Sequence, residues 1–409
     1  MKEFFKVLDI EQVVGLRQGF EKVSLEEVHL EKAVGRILAQ DIYASENLPG
    51  FARSTVDGYA VRAASTFGAS ESSPALFSLV GAIAMGEAPR MSVAPGQAVR
   101  ISTGGMLSPG ADSVVMLEHS ESLDDTTIEV FRSVAPGQHI IAANEDFQNG
   151  ALIVAAGRRL RPQDVGLLAA FGRTRMCVFR QPVVGILSTG DEIVPAEDMP
   201  GPAQIRDVNR YTLAGLISQA GAVPVAFGIV RDQFQELRAV CERALEQCDM
   251  VLISGGSSVG ARDCSLETIS AFSGAELLAH GIAISPGKPT ILARVFGKPL
   301  WGLPGHVASA MIVFTRIVRP FLLHIAGLAA PAEEEVRLPA RLTRNVASAQ
   351  GRTDFIRVRL LRRAKEWWAD PILGKSGLIN TMVISDGIIE IGKNIEGLDE
   401  GAPVEVSLF

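Results

Sequence analysis

Residues 183–192 read Val-Val-Gly-Ile-Leu-Ser188-Thr189-Gly190-Asp191-Glu192, and residues 250–260 read Met-Val-Leu-Ile-Ser254-Gly255-Gly256-Ser-Ser258-Val-Gly260. Each is a short apolar run that breaks at once into a polar, glycine-containing turn. An apolar run without alternation is the pattern of a strand buried on both faces. Between the two runs lie helix-like stretches at 209–221 and 233–248 and a strand-like stretch at 223–230. Beyond them come a helical pattern at 265–272, strand-like runs at 289–295 and 298–303, and a long helix from Val307. Strands that alternate with helices predict an α/β domain over 179–328, an open and mostly parallel sheet covered on both faces.

Outward from this centre the character changes on both sides. Residues 1–47 read as helical, with Ser24 and Glu27 at capping-box spacing before Val28, Leu30, Ala33, Val34 and Ile37. Residues 48–146 are rich in Gly, Pro and Ser, with short apolar runs at 76–83 and 113–117, which predicts a β-rich domain. Residues 147–178 carry a short run at 152–155 and a helical stretch at 163–171. They are expected to pack back on the N-terminal segment and make 48–146 an insertion. Residues 329–409 alternate again, with strands expected at 337–342, 354–361, 382–385, 388–391 and 404–408, a small β-barrel or sandwich. The expected architecture is therefore multidomain, α/β plus β: an elongated domain with an inserted β-rich domain, a central α/β domain and a C-terminal β domain.

Composition narrows the function. With 47% hydrophobic and 21% charged residues, the chain of 409 residues has a globular balance. A formal net charge of -7 with no basic run argues against nucleic-acid binding. The four cysteines, Cys177, Cys241, Cys248 and Cys264, lack the spacing of a zinc or redox site and fit a reducing, cytoplasmic setting. The N-terminus has no apolar run of signal-peptide length. The longest apolar stretch, 307–328, contains Arg316, Arg319, Pro320 and His324, which favours a buried helix over a membrane span.

The chemistry is expected where an open parallel sheet binds its ligands, beyond the carboxyl ends of the strands. Three turns fall there: Ser188–Glu192, Ser254–Gly260, and Leu303-Pro304-Gly305-His306. Glycine lets backbone N–H groups approach an oxyanion, and a following helix adds the positive end of its dipole. For any one turn alone, glycine serving turn geometry is the better reading. The acids Asp191, Glu192 and Asp263 beside these turns change the balance, because a carboxylate next to a phosphate calls for a bridging divalent cation, here Mg²⁺. The turn at 255–261 lacks the Gly-Lys-Ser/Thr ending of a Walker A loop, and 188–192 is not a dinucleotide-binding G-x-G-x-x-G. Ser285-Pro-Gly-Lys288-Pro is a rigid turn presenting one lysine; alone it reads as a surface turn, and beside an anion site as a fixed cation.

Taken in order, these segments resemble the molybdopterin molybdenumtransferase family, which includes the gephyrin E domain. The resemblance runs through Ser54-Thr-Val-Asp57-Gly-Tyr-Ala-Val-Arg62, Arg100-Ile-Ser-Thr103-Gly, Gly110-Ala-Asp-Ser-Val-Val and Asn144-Glu-Asp146. It continues through Ser188–Glu192, Arg231-Asp232, Ser254–Gly260 with Asp263, and Pro286-Gly-Lys288-Pro289. It ends on Gly302-Leu-Pro304-Gly305, Gly351-Arg352-Thr-Asp354-Phe355 and Gly374-Lys-Ser376-Gly377. The resemblance implies insertion of molybdate into adenylylated molybdopterin with Mg²⁺-dependent release of AMP. It implies that Glu192 and Asp263 hold the metal, that Asp57, Asp146 and Asp232 position water or cation, and that Lys288 and Arg352 hold molybdate. Ser309 and Ser376 become possible donors to the oxyanion, and the glycine turns the seat of pterin phosphate and nucleotide. It implies a homodimer whose cleft is completed across the interface by Asp57 and Thr103, and contact with the adenylylating enzyme. Two departures stand out: Ser285 where the family often has lysine, and His306-Val307 where it often has Asn-Pro. The competing classes are a tungstate-inserting homologue, a molybdopterin adenylyltransferase, and a non-catalytic scaffold or oxyanion binder.

Overall fold

The structure, a computed structural model, describes residues 7–255, 264–330 and 335–409. It divides into two compact units, one of Met1–Gln40, Ala156–Val165 and Arg175–Phe409, the other of Asp41–Ala155 and Gly166–Thr174.

The first unit is built on a six-stranded sheet in the order Val223–Val230, Val183–Thr189, Met250–Ser254, Lys298–Leu303, Ile291–Val295 and Glu276–His280. The first four run parallel and the last two pair antiparallel. The apolar runs feed two cores by strict alternation. Ile186, Met250, Leu252, Trp301 and Leu303 point to one face, with Leu213, Ile217, Phe314 and Phe321 of the helices. Leu187, Val251, Ile253 and Leu300 point to the other, with Leu237, Cys241 and Leu245. Burial on both faces is why these strands lack polar alternation. Burial also pushes the thiols of Cys241 and Cys248 up to about 12 and about 11, the pattern of inert core cysteines.

The helix from Val307 to Ile325 contains a π-turn at Phe314–Val318, just before Pro320. Proline has no N–H and crowds the carbonyl four residues back, and the wider turn absorbs that conflict. By length and composition this helix could cross a membrane, but Phe314, Ile317, Val318, Phe321 and Leu322 all lie in the core of the α/β sheet.

The same unit carries a C-terminal sheet. Strands Thr353–Arg363, Glu366–Pro371, Arg337–Leu342, Pro403–Leu408 and Gly387–Ile391 close into a ring, because the first also pairs with the last. Leu342, Val358, Ala369, Ile389 and Val406 fill it. Ile284–Ser285 joins this sheet from the α/β region, parallel to Thr353–Asp354.

The second unit holds a sheet in the order Ser113–Met116, Gly58–Val61, Gln97–Ile101, Ala75–Ala82, Thr127–Val130 and Ser120–Ser122, around Phe77, Ile128 and Val115.

Two expectations fail. The capping-box segment is not helical: Leu25–His29 is a strand paired with Arg175–Phe179, and among the described residues helix before residue 40 is confined to Ile10–Gly15 and short 3-10 turns. Glu26 and Glu27 bind Arg36 and Arg175, so a tertiary partner outweighs a local cap signal. Residues 382–385, expected as strand, lie instead at the helical turn Asn380–Val383. Its Thr381 accepts from Arg357 Nη1 at 2.9 Å, a tie that no period in the sequence announces.

Candidate active site

The three turns begin at the carboxyl ends of adjacent parallel strands, as their spacing predicts, and of the second only Ser254 and Gly255 are described. Ser188 and Ser254 are directly paired in register, as are Ser254 and Leu303. Backbone proximity explains the glycines. Gly255 has φ +106°, and a Cβ there would stand 2.1 Å from the Thr189 carbonyl oxygen. Gly255 N also donates to the Leu303 carbonyl at 3.3 Å. The first and third turns therefore both close upon the second.

Two side chains fasten the turns together. Thr189, buried at the end of its strand, donates to Asp232 Oδ1 at 2.7 Å. The Asp232 N–H points to Asp191 Oδ1 at 3.4 Å, so Asp191 and Asp232 gather at neighbouring strand ends with exposed carboxylates. The Glu192 carboxylate folds over Gly190, whose missing Cβ would lie 2.8 Å from Glu192 Oε2. Asn209, at the start of the helix Asn209–Gln219, donates to Ser254 Oγ at 2.7 Å and to the Gly305 carbonyl at 2.8 Å. Asn209 and its neighbour Asp207 are functional candidates that motif reading missed. Both sit where a helix start takes capping residues, and Asp207 does accept from Arg210 N at 3.1 Å. Yet among the described residues Asn209 Oδ1, Asp207 Oδ2 and Ser188 Oγ are buried without hydrogen-bond partners.

The donor set bears on the expected Mg²⁺. Among the described residues no three His, Cys, Asp or Glu side chains cluster closely enough to hold an ion alone. Exposed carboxylates at strand ends, all hard oxygen donors, match a cation that takes one or two protein carboxylates and completes its shell from phosphates and water. Of the residues expected to hold the metal, Glu192 lies on this rim. Asp263, together with Gly256, Ser258 and Gly260 of the second turn, lies outside the described residues.

A second cluster forms where the C-terminal sheet meets the α/β region. Ser285 pairs in register with Asp354, which ties the segment leading into the Lys288 turn to the strand that follows Arg352. Arg352 forms an ion pair with Asp354, Nε to Oδ1 2.9 Å, and the other oxygen of buried Asp354 accepts from Ser348 Oγ at 2.8 Å. Arg352 is thus held by a carboxylate that is itself anchored. Gly287 permits the tight turn before exposed Lys288, since a Cβ there would stand 2.4 Å from Val313. Ser376, expected to donate to the oxyanion, bonds His306 Nδ1 at 2.8 Å, and its carbonyl accepts from Ala308 N at 3.0 Å. Pro304 is buried beneath the third turn, and Ser309 is buried in the first turn of the helix that follows.

Asp57, Thr103 and Asp146 belong to the other unit. Gly58 and Ile101 are paired, so Asp57 and Thr103 emerge at the same end of two antiparallel strands. Asp57 Oδ1 accepts from Thr103 N at 2.8 Å and Thr103 Oγ1 at 3.3 Å. Gly58 is required because a Cβ would stand 1.9 Å from the Val115 carbonyl oxygen. Asp146 is exposed, its N–H bonded to the Leu48 carbonyl.

Comparison with known proteins agrees along the chain. Residues 8–172 match the family model for the MoeA N-terminal region (domain I and II), 185–324 that described as "Probable molybdopterin binding domain", and 339–409 that for the MoeA C-terminal region (domain IV). The chain is 32% identical over 386 residues to the molybdopterin molybdenumtransferase of Bacillus subtilis, covering 93% of this chain and 89% of that one. It is 35% identical over 305 residues to the molybdopterin molybdenumtransferase of Nostoc, covering 74% and 70%. A crystal structure of a molybdopterin biosynthesis moeA protein from Pyrococcus horikoshii superposes with TM-score 0.81 at 39% identity, over 98% of this chain and 99% of that one. A second from the same species gives TM-score 0.85 at 30% identity.

Proposed function

The chain belongs to the molybdopterin molybdenumtransferase family, a transferase family of molybdenum cofactor biosynthesis, and from that premise we propose that it inserts molybdate into adenylylated molybdopterin with Mg²⁺-dependent release of AMP. The observation that supports this reading most is the rim of three glycine turns on adjacent parallel strands, cross-tied by Asn209 and Asp232 and edged by exposed acids. Backbone amides there suit the phosphates, and the carboxylates suit a cation bridging them.

In the step proposed, a water oxygen attacks one phosphorus of the pyrophosphate and the bridging P–O bond breaks. AMP leaves, one proton passes to solvent, and the pterin dithiolene is left to take the metal oxyanion. Mg²⁺, held by Glu192 and Asp263 with the nearby acids, would supply charge withdrawal from the breaking bond. Asp232, which accepts from Thr189, would orient the attacking water. Lys288 and Arg352 would hold molybdate as two fixed cations.

The proposed assembly is a homodimer in which Asp57, Thr103 and Asp146 complete the partner subunit's site. It would work in the cytoplasm and receive its substrate from the adenylylating enzyme. Incubation of the protein with adenylylated molybdopterin, Mg²⁺ and either molybdate or tungstate, following AMP, tests the function. Absence of AMP with both oxyanions overturns it. Mixing Asp57→Ala and Asp232→Ala chains tests the assembly: mixed dimers regain activity if the site is shared, and stay inactive if each chain works alone.

A further inference from the structure

His306 is the residue that starts the long helix after the third turn, yet its side chain makes no capping bond to that helix. The ring turns instead toward the Gly374–Gly377 segment, where Nδ1 meets Ser376 Oγ at 2.8 Å. The segment is fixed in place. Ala308 N donates to the Ser376 carbonyl, and buried Arg357 donates to the Gly374 carbonyl at 2.8 Å. Gly377 carries no Cβ, which would otherwise stand 3.6 Å from the ring. On the other side, the Gly305 carbonyl is held by Asn209, which also holds Ser254. The imidazole is exposed, and among the described residues its Nε2 has no hydrogen-bond partner.

A serine hydroxyl is an unusual anchor because it serves either charge state of the ring. It can donate to Nδ1 of the neutral Nε2–H tautomer and can accept from Nδ1–H of the protonated ring. In both states Nε2 carries the remaining proton. The orientation therefore survives a change of charge, and the free edge stays a donor. A fixed donor at the rim of an anion site, beside backbone amides, is a contact for a tetrahedral oxyanion.

We propose that His306 is a substrate-binding residue that donates from Nε2 to an oxyanion of the substrates, and that Ser376 is the positioning residue that aims it. The inference rests on the function proposed above. The oxyanion is either molybdate or the phosphate of the nucleotide half, and titrations of the Mg²⁺-loaded protein with molybdate and with AMP separate them.

His306→Ala is expected to weaken one of these anions about tenfold, the size of one lost charge-assisted hydrogen bond, while the other holds within about twofold. Loss on the molybdate arm puts the ring at the metal oxyanion, and loss on the AMP arm puts it at the nucleotide phosphate. Ser376→Ala shows the same loss, Ser376→Thr restores binding, and the double Ala variant is no weaker than His306→Ala alone. His306→Gln, which keeps bulk, and a thermal midpoint near wild type guard against misfolding. Wild-type affinity for both anions in His306→Ala overturns the proposal, and additive losses in the double variant overturn the role of Ser376. A wild-type protein that binds neither anion and releases no AMP overturns the underlying function as well.

Discussion

Thr189 and Asp232 face each other at the ends of two adjacent parallel strands, 2.7 Å apart, with the hydroxyl buried and the carboxylate open to solvent. One end of the bond is therefore rigid and the other reactive. Thr189→Val keeps the shape and removes the donor. Folding stability should fall by about 1 kcal/mol, the net worth of one hydrogen bond. AMP release should slow more than that loss implies, by about tenfold in kcat with KM little changed, because Asp232 is no longer aimed. Denaturant unfolding and steady-state kinetics on one preparation read both numbers; equal kcat in the variant removes Asp232 from its proposed task.

Asn209 does for the second and third turns what Thr189 does for the first. Its amide reaches Ser254 Oγ and the Gly305 carbonyl. Asn209→Leu leaves the buried Ser254 hydroxyl without this partner and frees the Gly305 carbonyl, at a cost of roughly 1–3 kcal/mol. Binding of AMP should weaken as well, since the turns lose their tie. Chemical denaturation with a midpoint unchanged from wild type would show that the bridge carries no stability.

The glycine at 255 is a backbone requirement and can be separated from ordinary turn strain. Gly35 also has positive φ, at +79°, but a Cβ there meets nothing within 4 Å. Gly35→Ala should cost about 1 kcal/mol, strain alone. Gly255→Ala adds a collision with the Thr189 carbonyl, so the strand end must move. Its cost should be on the order of 3 kcal/mol or more, with AMP release lost. Circular dichroism melts of the two variants side by side measure the difference, and equal melts would contradict it.

The central sheet was legible because its strands are buried on both faces. Residues 223–230 emerge within the bounds their apolar run sets, and the runs at 183 and 250 extend only into Thr189 and Ser254. Strand ends follow from the same pattern, which is why Ser188, Ser254 and Pro304 fall on one rim. What the sequence hid are pairings between distant segments. Ser24 and Glu27 have the spacing of a cap, but Arg175–Phe179 offers them a sheet edge instead. Residues 382–385 are apolar enough for a strand, but Thr381 is needed by Arg357 in a helical turn. Ser376 reads as a free donor in its glycine-rich turn, and only the fold shows that His306 occupies it. Asn209 and Asp207 carry no motif of their own and become visible only through buried oxygens that find no partner among the described residues.

Glu335 supplies a pH signature that is independent of the active site. Burial opposes its ionisation, yet Arg337 and Arg316 outweigh burial and hold the carboxyl at about 2 against an ordinary 4.5. A carboxyl depressed by folding favours the ionised native form, so its contribution is complete above the unfolded value and is lost as pH falls through the folded one. Glu335→Gln should therefore be less stable than wild type by on the order of 2 kcal/mol at neutral pH, allowing for solvent screening of a partly open pair. The gap should shrink from about pH 4.5 downward and close near pH 2, because the wild-type carboxyl then takes up its proton. Arg316 also bonds Glu390 at 3.0 Å, so the variant keeps one partner for that guanidinium and should still fold. Paired urea titrations across this range measure the gap, and a difference that stays constant with pH would mean that lost packing, not charge, sets the cost.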